Sequence, residues 1–251
     1  LTANYSGGNV AVLKTNADGS LQPSAQLIAH QGYGVNVKRQ EMPHPHEAVF
    51  SPDEKYVFTP DLGNDRLYRY KFNATDPSNI LADTDPAYTE ITDGSGPRHL
   101  VFSPNKKFAY LVNELAGNII VYQYDEASGN MTAIQTIASD NTNTKTDKSS
   151  AELAITPDGK FLYASNREPE NDIAIYKIQS DGQLVPVAHQ PVGAHPRFFM
   201  IDPTGHFVLV AHRDSNNIQI FSINKNYGLL ENPQVLVTVD QPTCIKMVPI
   251  H

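Results

Sequence analysis

Ser51-Pro52-Asp53-Glu54-Lys55, Ser103-Pro104-Asn105-Lys106-Lys107, Thr156-Pro157-Asp158-Gly159-Lys160 and Asp202-Pro203-Thr204-Gly205-His206 are four versions of one turn. Their prolines stand 52, 53 and 46 residues apart. Proline presets φ for the first turn position, and Asp, Asn or Gly suits the next. An apolar run precedes each turn: Ala48-Val49-Phe50, Leu100-Val101-Phe102, Leu153-Ala154-Ile155 and Phe199-Met200-Ile201. A second run follows: Tyr56-Val57-Phe58, Phe108–Val112, Phe161–Ala164 and Phe207–Val210. Short β-branched and aromatic runs around a turn predict a β-hairpin.

Outward from each hairpin, a third strand is predicted after a polar loop at Arg66–Tyr70, Ile119–Tyr124, Ile173–Ile178 and Ile218–Ile223. A weaker fourth follows, as at Val235–Val239. No segment sustains a helical apolar period. Four strands in a repeat of about 45–50 residues describe a propeller blade. A β-sandwich would not predict a proline-anchored turn at near-constant spacing. The expected fold is one all-β domain, a β-propeller of four-stranded blades with about five blade equivalents. Four of these units are 41–95, 96–148, 149–192 and 193–240. The fifth joins 1–40 to 241–251: Gln241–Pro249 matches a blade's first strand, and Leu1–Val12 matches its second and third. That pairing would close a ring without open sheet edges.

Composition narrows the function classes. The 251 residues are 18% charged and 40% hydrophobic, which places the chain among globular rather than disordered proteins. A net charge of −8 lacks the basic field that draws nucleic acid. No apolar run has the roughly 18–20 residues of a membrane span, so neither nucleic acid nor membrane is an expected partner. The opening Leu1-Thr2-Ala3-Asn4 does not read as a signal segment, and without an initiating Met the sequence reads as the inside of a longer chain. The lone Cys244 excludes an internal disulfide framework and a cysteine zinc site, and points to a reducing, cytoplasmic setting. The three glycosylation sequons, at Asn4, Asn73 and Asn130, are no more than chance supplies.

Counting from each turn proline aligns the polar residues. Six before it stand His46, Arg98, Ala151, Arg197 and Thr243, and five before it Glu47, His99, Glu152, Phe198 and Cys244. Ten after it stand Leu62, Glu114, Arg167 and Arg213, and nine after it Asp61, Asn113, Asn166 and His212. The first two strands of a blade are antiparallel, so the second ends beside the start of the first. Glu114 is thus expected near Arg98, and Arg213 near Arg197. Polar residues at strand ends often only cap the sheet. Four arginines at equivalent positions in an acidic chain go further, because a planar guanidinium suits two-point recognition of carboxylate or phosphate. A small anionic ligand is expected, with His99, Asn113, Glu152, Asn166, Arg197 and Arg213 as binding residues.

Other motifs carry less. His44-Pro45-His46-Glu47 lacks further ligands at metal-site spacing, so no metal or other cofactor is expected. Gly7-Gly8 and Gly94-Ser95-Gly96 are turn glycines rather than a phosphate loop. The polar stretch Ser139–Ser150 reads as an inter-blade insertion, an inert loop in preference to a lid over the channel. No Gly-x-Ser-x-Gly nucleophile signature occurs.

Ala3–Val10, His44-Pro45-His46, Pro60–Arg66, Gly96-Pro97-Arg98-His99, Val112-Asn113-Glu114-Leu115, Ser165-Asn166-Arg167 and His195-Pro196-Arg197 together resemble the seven-bladed propeller lactonase family. This family includes propeller-type 6-phosphogluconolactonases and fungal carboxymuconate cyclases. The resemblance implies a catalytic set of His46, Arg98, Glu114 and Arg167 at one mouth of the channel. It also implies seven blades, against material here for about five. Hydrolysis of a small anionic sugar lactone is the leading expectation, with Glu114 or His46 as general base and arginines as the clamp. Cycloisomerisation of a carboxylated muconate is the alternative within the family. A non-catalytic binding scaffold or fragment is the alternative outside it, but such a scaffold has no need of clustered arginines.

Overall fold

The computed structural model describes residues 1–142 and 148–248. Each proline turn is locked by its own polar flank. Ser51 Oγ donates to Asp53 Oδ1 at 2.6 Å and accepts from Tyr56 N at 3.0 Å. Ser103 and Thr156 repeat this, their hydroxyls accepting from Phe108 N at 3.0 Å and Phe161 N at 3.1 Å. In the last turn Asp202 takes over: its Oδ1 accepts from Phe207 N at 2.7 Å. The fourth turn residue is left-handed every time, with φ of 57° at Glu54, 64° at Lys106, 72° at Gly159 and 67° at Gly205. Glycine meets that demand without cost.

The described residues form five antiparallel sheets, four of them growing outward from these hairpins. The first holds β1 (Thr2–Asn4), β2 (Asn9–Thr15) and β3 (Leu21–Ala29). The second holds β4 (Val49–Phe50), β5 (Tyr56–Asp61), β6 (Arg66–Phe72) and β7 (Leu81–Glu90). The third holds β8 (Pro97–Phe102), β9 (Phe108–Asn113), β10 (Asn118–Asp125) and β11 (Asn130–Ala138). The fourth holds β12 (Ser150–Ile155), β13 (Phe161–Asn166), β14 (Asp172–Ile178) and β15 (Leu184–Pro191). The fifth holds β16 (Pro196–Ile201), β17 (Phe207–His212), β18 (Asn217–Ile223) and β19 (Leu230–Thr238). Strand order in each sheet follows the sequence, and the inner strands β8, β12 and β16 neighbour one another around the axis. This is propeller architecture. Among the described residues no helix is long and apolar enough to cross a membrane.

The core lies between sheets, face against face. Tyr110, Val112 and Ile119 of the third sheet pack with Leu162, Ala164 and Tyr176 of the fourth. Tyr163, Ile173 and Ile175 pack likewise with Phe199, Val208 and Phe221 of the fifth. Equivalent tyrosines tie successive blades: Tyr110 Oη donates to Gly182 O at 3.0 Å, and Tyr163 Oη to Gly228 O at 2.8 Å. A buried phenol satisfied in this way adds direction to apolar burial. With their faces fixed by such interlayers, the sheets bring His46, Arg98 and Arg197, from the inner-strand starts of the second, third and fifth, into one cavity.

The strand expected to complete the first sheet from the C-terminus finds no counterpart among the described residues. Residues 242–248 form no strand, and the first sheet has three strands. Lys246 Nζ lies 5.8 Å above the ring of Phe198, on the inner strand of the fifth sheet. Pro249, part of the same expected strand, lies outside the described residues. So do positions 143–147 of the polar insertion, whose ends Ser139 and Ser150 are joined hydroxyl to hydroxyl at 2.8 Å.

Candidate active site

Each inner strand begins with a bulge. Pro97 pairs with Asn113 and His99 with Val112, which leaves Arg98 as the extra residue. Arg197 is extra in the same way between Pro196 and Phe198. In the fourth sheet Ala151 and Glu152 face the single Ser165. In the second, three residues from His46 to Ala48 face two, Thr59 and Pro60. A bulged residue leaves the in–out alternation of the strand and can be re-aimed. Here the re-aimed side chains include Arg98 and Arg197.

The hairpin exits supply the other half. Tyr5, Glu114 and Arg167 follow the last residues of β1, β9 and β13, namely Asn4, Asn113 and Asn166, β1 standing where the other blades have their second strand. That preceding residue ties the hairpin. Asn4 donates to Asn9 at 2.7 Å, Asn113 to Asn118 at 2.7 Å and Asn166 to Asp172 at 2.8 Å. In the fifth sheet His212 pairs with Asn217 at 3.0 Å. The knot turns one residue into the scaffold and releases the next toward the axis.

The released residues meet in a cavity of about 360 Å³ lined by Tyr5, His46, Glu114 and four arginines, 39, 98, 167 and 197. Glu114 is its hub. Its Oε2 accepts from Arg98 Nη1 at 2.6 Å, and its Oε1 accepts from Arg39 Nη2 at 2.5 Å. Arg167 Nη2 stands 3.0 Å from the same Oε1 as a charge contact without hydrogen-bond alignment. Backbone carbonyls fix two of the guanidiniums: Arg98 Nε donates to Ala151 O at 3.0 Å and Arg167 Nε to Ser149 O at 3.1 Å. Arg98 Nη1 also lies 2.6 Å from His46 Nε2. Guanidinium only donates, so Nε2 accepts and the imidazole proton sits on Nδ1.

These contacts set the protonation states. Burial alone would raise the Glu114 carboxyl, but Arg98, Arg167 and Arg39 outweigh it and hold it far below the usual carboxylate range. His46 is pushed well below 6.5, first by burial and then by the positive charge of Arg98. Arg167 falls to about 10, burial leading and Arg98 adding repulsion while Glu114 opposes. Arg197 is lowered by burial and by Arg98. Arg197 makes no hydrogen bond or ion pair among the described residues, so its guanidinium faces the cavity uncommitted.

The four residues expected to be catalytic, His46, Arg98, Glu114 and Arg167, all line this cavity, and so does Arg197. The other expected binding residues do not. Asn113 and Asn166 are fully buried and spent on the hairpin knots. His99 Nδ1 and Glu152 Oε1 meet each other at 3.0 Å, with the His99 ring edge-on to His46 at 4.9 Å, which makes them a brace behind the wall. Arg213 is drawn to Asp214 at 2.6 Å. Two lining residues, Tyr5 and Arg39, lie outside the proline-counted positions. Tyr5 occupies the Glu114 position of a sheet without a proline turn to count from, although the Asn4–Asn9 knot marks it. Arg39 stands in the loop between β3 and β4, outside the repeat. The His-x-His pair is not arranged for a metal: His46 Nε2 is filled by Arg98, while the His44 ring stacks on Tyr5 at 4.3 Å.

The architecture and the site together define a class, a propeller with a cationic cavity at one mouth of its channel. The family model described as lactonase, 7-bladed beta-propeller, matches residues 1–247, and the chain belongs to that family, an enzyme of the lactonase type. It is 35% identical to the 6-phosphogluconolactonase of Bacillus subtilis over 248 residues, covering 98% of this chain and 69% of that one. It is 38% identical to the 6-phosphogluconolactonase of Formosa agariphila, covering 94% and 67%. The structure of a periplasmic gluconolactonase from Pseudomonas aeruginosa superposes with a TM-score of 0.93 at 36% identity, covering 99% of this chain and 69% of that one.

Proposed function

We propose that this protein hydrolyses a small anionic sugar lactone, with 6-phosphogluconolactone as the substrate its relatives' names indicate. One observation carries the reading: four guanidiniums face a single carboxylate inside a cavity of a protein whose net charge is −8. That surplus of cations has no structural use and matches a polyanion. His46 is the general base. It is neutral, and its Nε2 lone pair is occupied only by Arg98, which an incoming carbonyl oxygen draws away. Water adds to the lactone carbonyl carbon as Nε2 takes its proton. Arg98 and Arg167 hold the oxyanion, where one donor is worth about 2.7–4 kcal/mol. Collapse breaks the ring C–O bond, and His46 returns the proton to the leaving ring oxygen, giving the hydroxy acid. Glu114, with both oxygens committed to arginines, orients the guanidiniums instead of accepting a proton. The test is incubation with 6-phosphogluconolactone and, separately, with a carboxylated muconate. Ring opening faster than the spontaneous rate supports the reading, and ring closure of the muconate alone overturns it.

Two results follow from the uncommitted and shifted groups. Arg197→Met removes a half-buried cation that has no hydrogen-bond or ion-pair partner among the described residues and is repelled by Arg98, so its Tm stays near or above wild type. KM for the anionic lactone rises roughly tenfold to a hundredfold, the worth of a charge-assisted hydrogen bond; an unchanged KM would remove Arg197 from substrate binding. The second concerns pH. The acidic limb of kcat/KM reports the base in the free enzyme. Because His46 is held below 6.5 in the folded protein, it stays unprotonated as pH falls through 6.5, and the limb lies at lower pH. A flat profile between pH 7.5 and 6.5 is expected, whereas a midpoint at or above 6.5 would point to a different base.

A further inference from the structure

Of the three arginines on Glu114, two are built into the sheets and one is not. Arg98 starts a bulged inner strand and Arg167 leaves a hairpin, with side-chain exposures of 3% and 8%. Arg39 is 43% exposed and stands on the loop before β4. Its backbone is nonetheless fixed by its neighbour. Gln40 is fully buried, donates through Nε2 to Leu62 O at 2.9 Å and accepts at Oε1 from Asn36 N at 3.0 Å. The main chain closes the same loop, Gly34 N donating to Gln40 O at 2.9 Å. Arg39 is therefore a long side chain swinging from a fixed Cα. Its partner is replaceable: when it leaves, Oε1 of Glu114 still faces Arg167 and Oε2 still holds Arg98. Tyr5 and the uncommitted Arg197 line the same cavity as Arg39.

We propose that Arg39 is a specificity-determining residue that rests on Glu114 in the empty cavity and moves to the phosphate of the bound lactone, which it cradles with Tyr5 and Arg197. The proposal rests on the lactonase reading above and names what selects the charged substrate. A dianionic phosphate outbids a carboxylate already shared by two other guanidiniums, and Arg39 can meet it in two-point fashion. The exchange also frees one lone pair on Glu114 Oε1 only when the phosphate is present, so cavity rearrangement is tied to the correct ligand. An uncharged lactone leaves Arg39 where it is.

The test compares 6-phosphogluconolactone with unphosphorylated glucono-δ-lactone in wild type, Arg39→Ala and Arg39→Lys. Alanine is expected to lower kcat/KM about 100-fold for the phosphorylated lactone, since a site built to bond a group loses that discrimination when the bond is removed. It should change kcat/KM for the unphosphorylated lactone by less than about threefold, with lysine intermediate on the first substrate. A parallel fall on both lactones, or no fall on either, overturns the proposal. Calorimetric titration with 6-phosphogluconate and with gluconate separates this from failure of the lactonase reading. If wild type opens neither lactone, that reading fails. Arg39 is still judged by whether alanine weakens 6-phosphogluconate binding about 100-fold while sparing gluconate. Equal loss for both acids, no loss, or no binding of 6-phosphogluconate to wild type would refute the assignment.

Discussion

Glu114→Gln is expected to lower the unfolding free energy by about 3–5 kcal/mol, the cost of stranding buried charge. For a chain of this size that is roughly ten degrees in Tm. Glu114 is 1% exposed and is the one carboxylate among four lining arginines. An amide keeps the shape but not the charge, and it presents N–H donors to groups that only donate. Arg98 and Arg167 then stay buried without an anion. The same argument gives a second readout. Sulfate or phosphate enters the vacated potential, so either anion raises the Tm of Glu114→Gln more than that of wild type. A variant that melts within a degree of wild type and ignores added phosphate would show that Glu114 is not the hub of the site.

His46→Ala is expected to lower kcat by about 10²–10⁴ at pH 7, the usual range for a lost general base. The fold should barely register the change. His46 Nδ1 is buried without a hydrogen-bond partner, and Arg98 retains Glu114 and Ala151 O when the imidazole is gone. Activity and stability thus separate in the opposite sense from Glu114→Gln. Thermal melts alongside lactone turnover read both. Near wild-type kcat in His46→Ala would return the base role to another group.

The blades are legible because the turns are chemical objects. Ser51, Ser103, Thr156 and Asp202 do one job, and their spacing prints the architecture on the sequence. Counting from the prolines also finds Arg98, Arg197, Glu114 and Arg167, since the bulges and hairpin exits recur with the turns. The count cannot tell which of two adjacent polar residues faces the axis. Asn113 and Glu114 both look available in the sequence, but the knot to Asn118 turns the first inward to the scaffold. Arg213 has the right position and loses its guanidinium to neighbouring Asp214. Arg39 belongs to no repeat, so only three-dimensional closure of its loop brings it to Glu114. Gln241–Pro249 carries the pattern of an inner strand, yet residues 242–248 form no strand, and Lys246 lies by Phe198. Protonation is the least legible layer: a glutamate and a histidine are equal candidates for the base until three arginines are seen to occupy the first.

The most direct measurement is a crystal structure of the protein with 6-phosphogluconate, the acid that ring opening would release. The carboxylate is expected between Arg98 and Arg167 beside His46, and the phosphate against Arg39, Tyr5 and Arg197. A ligand bound away from the axis, with the cavity between these side chains unfilled, would contradict the account.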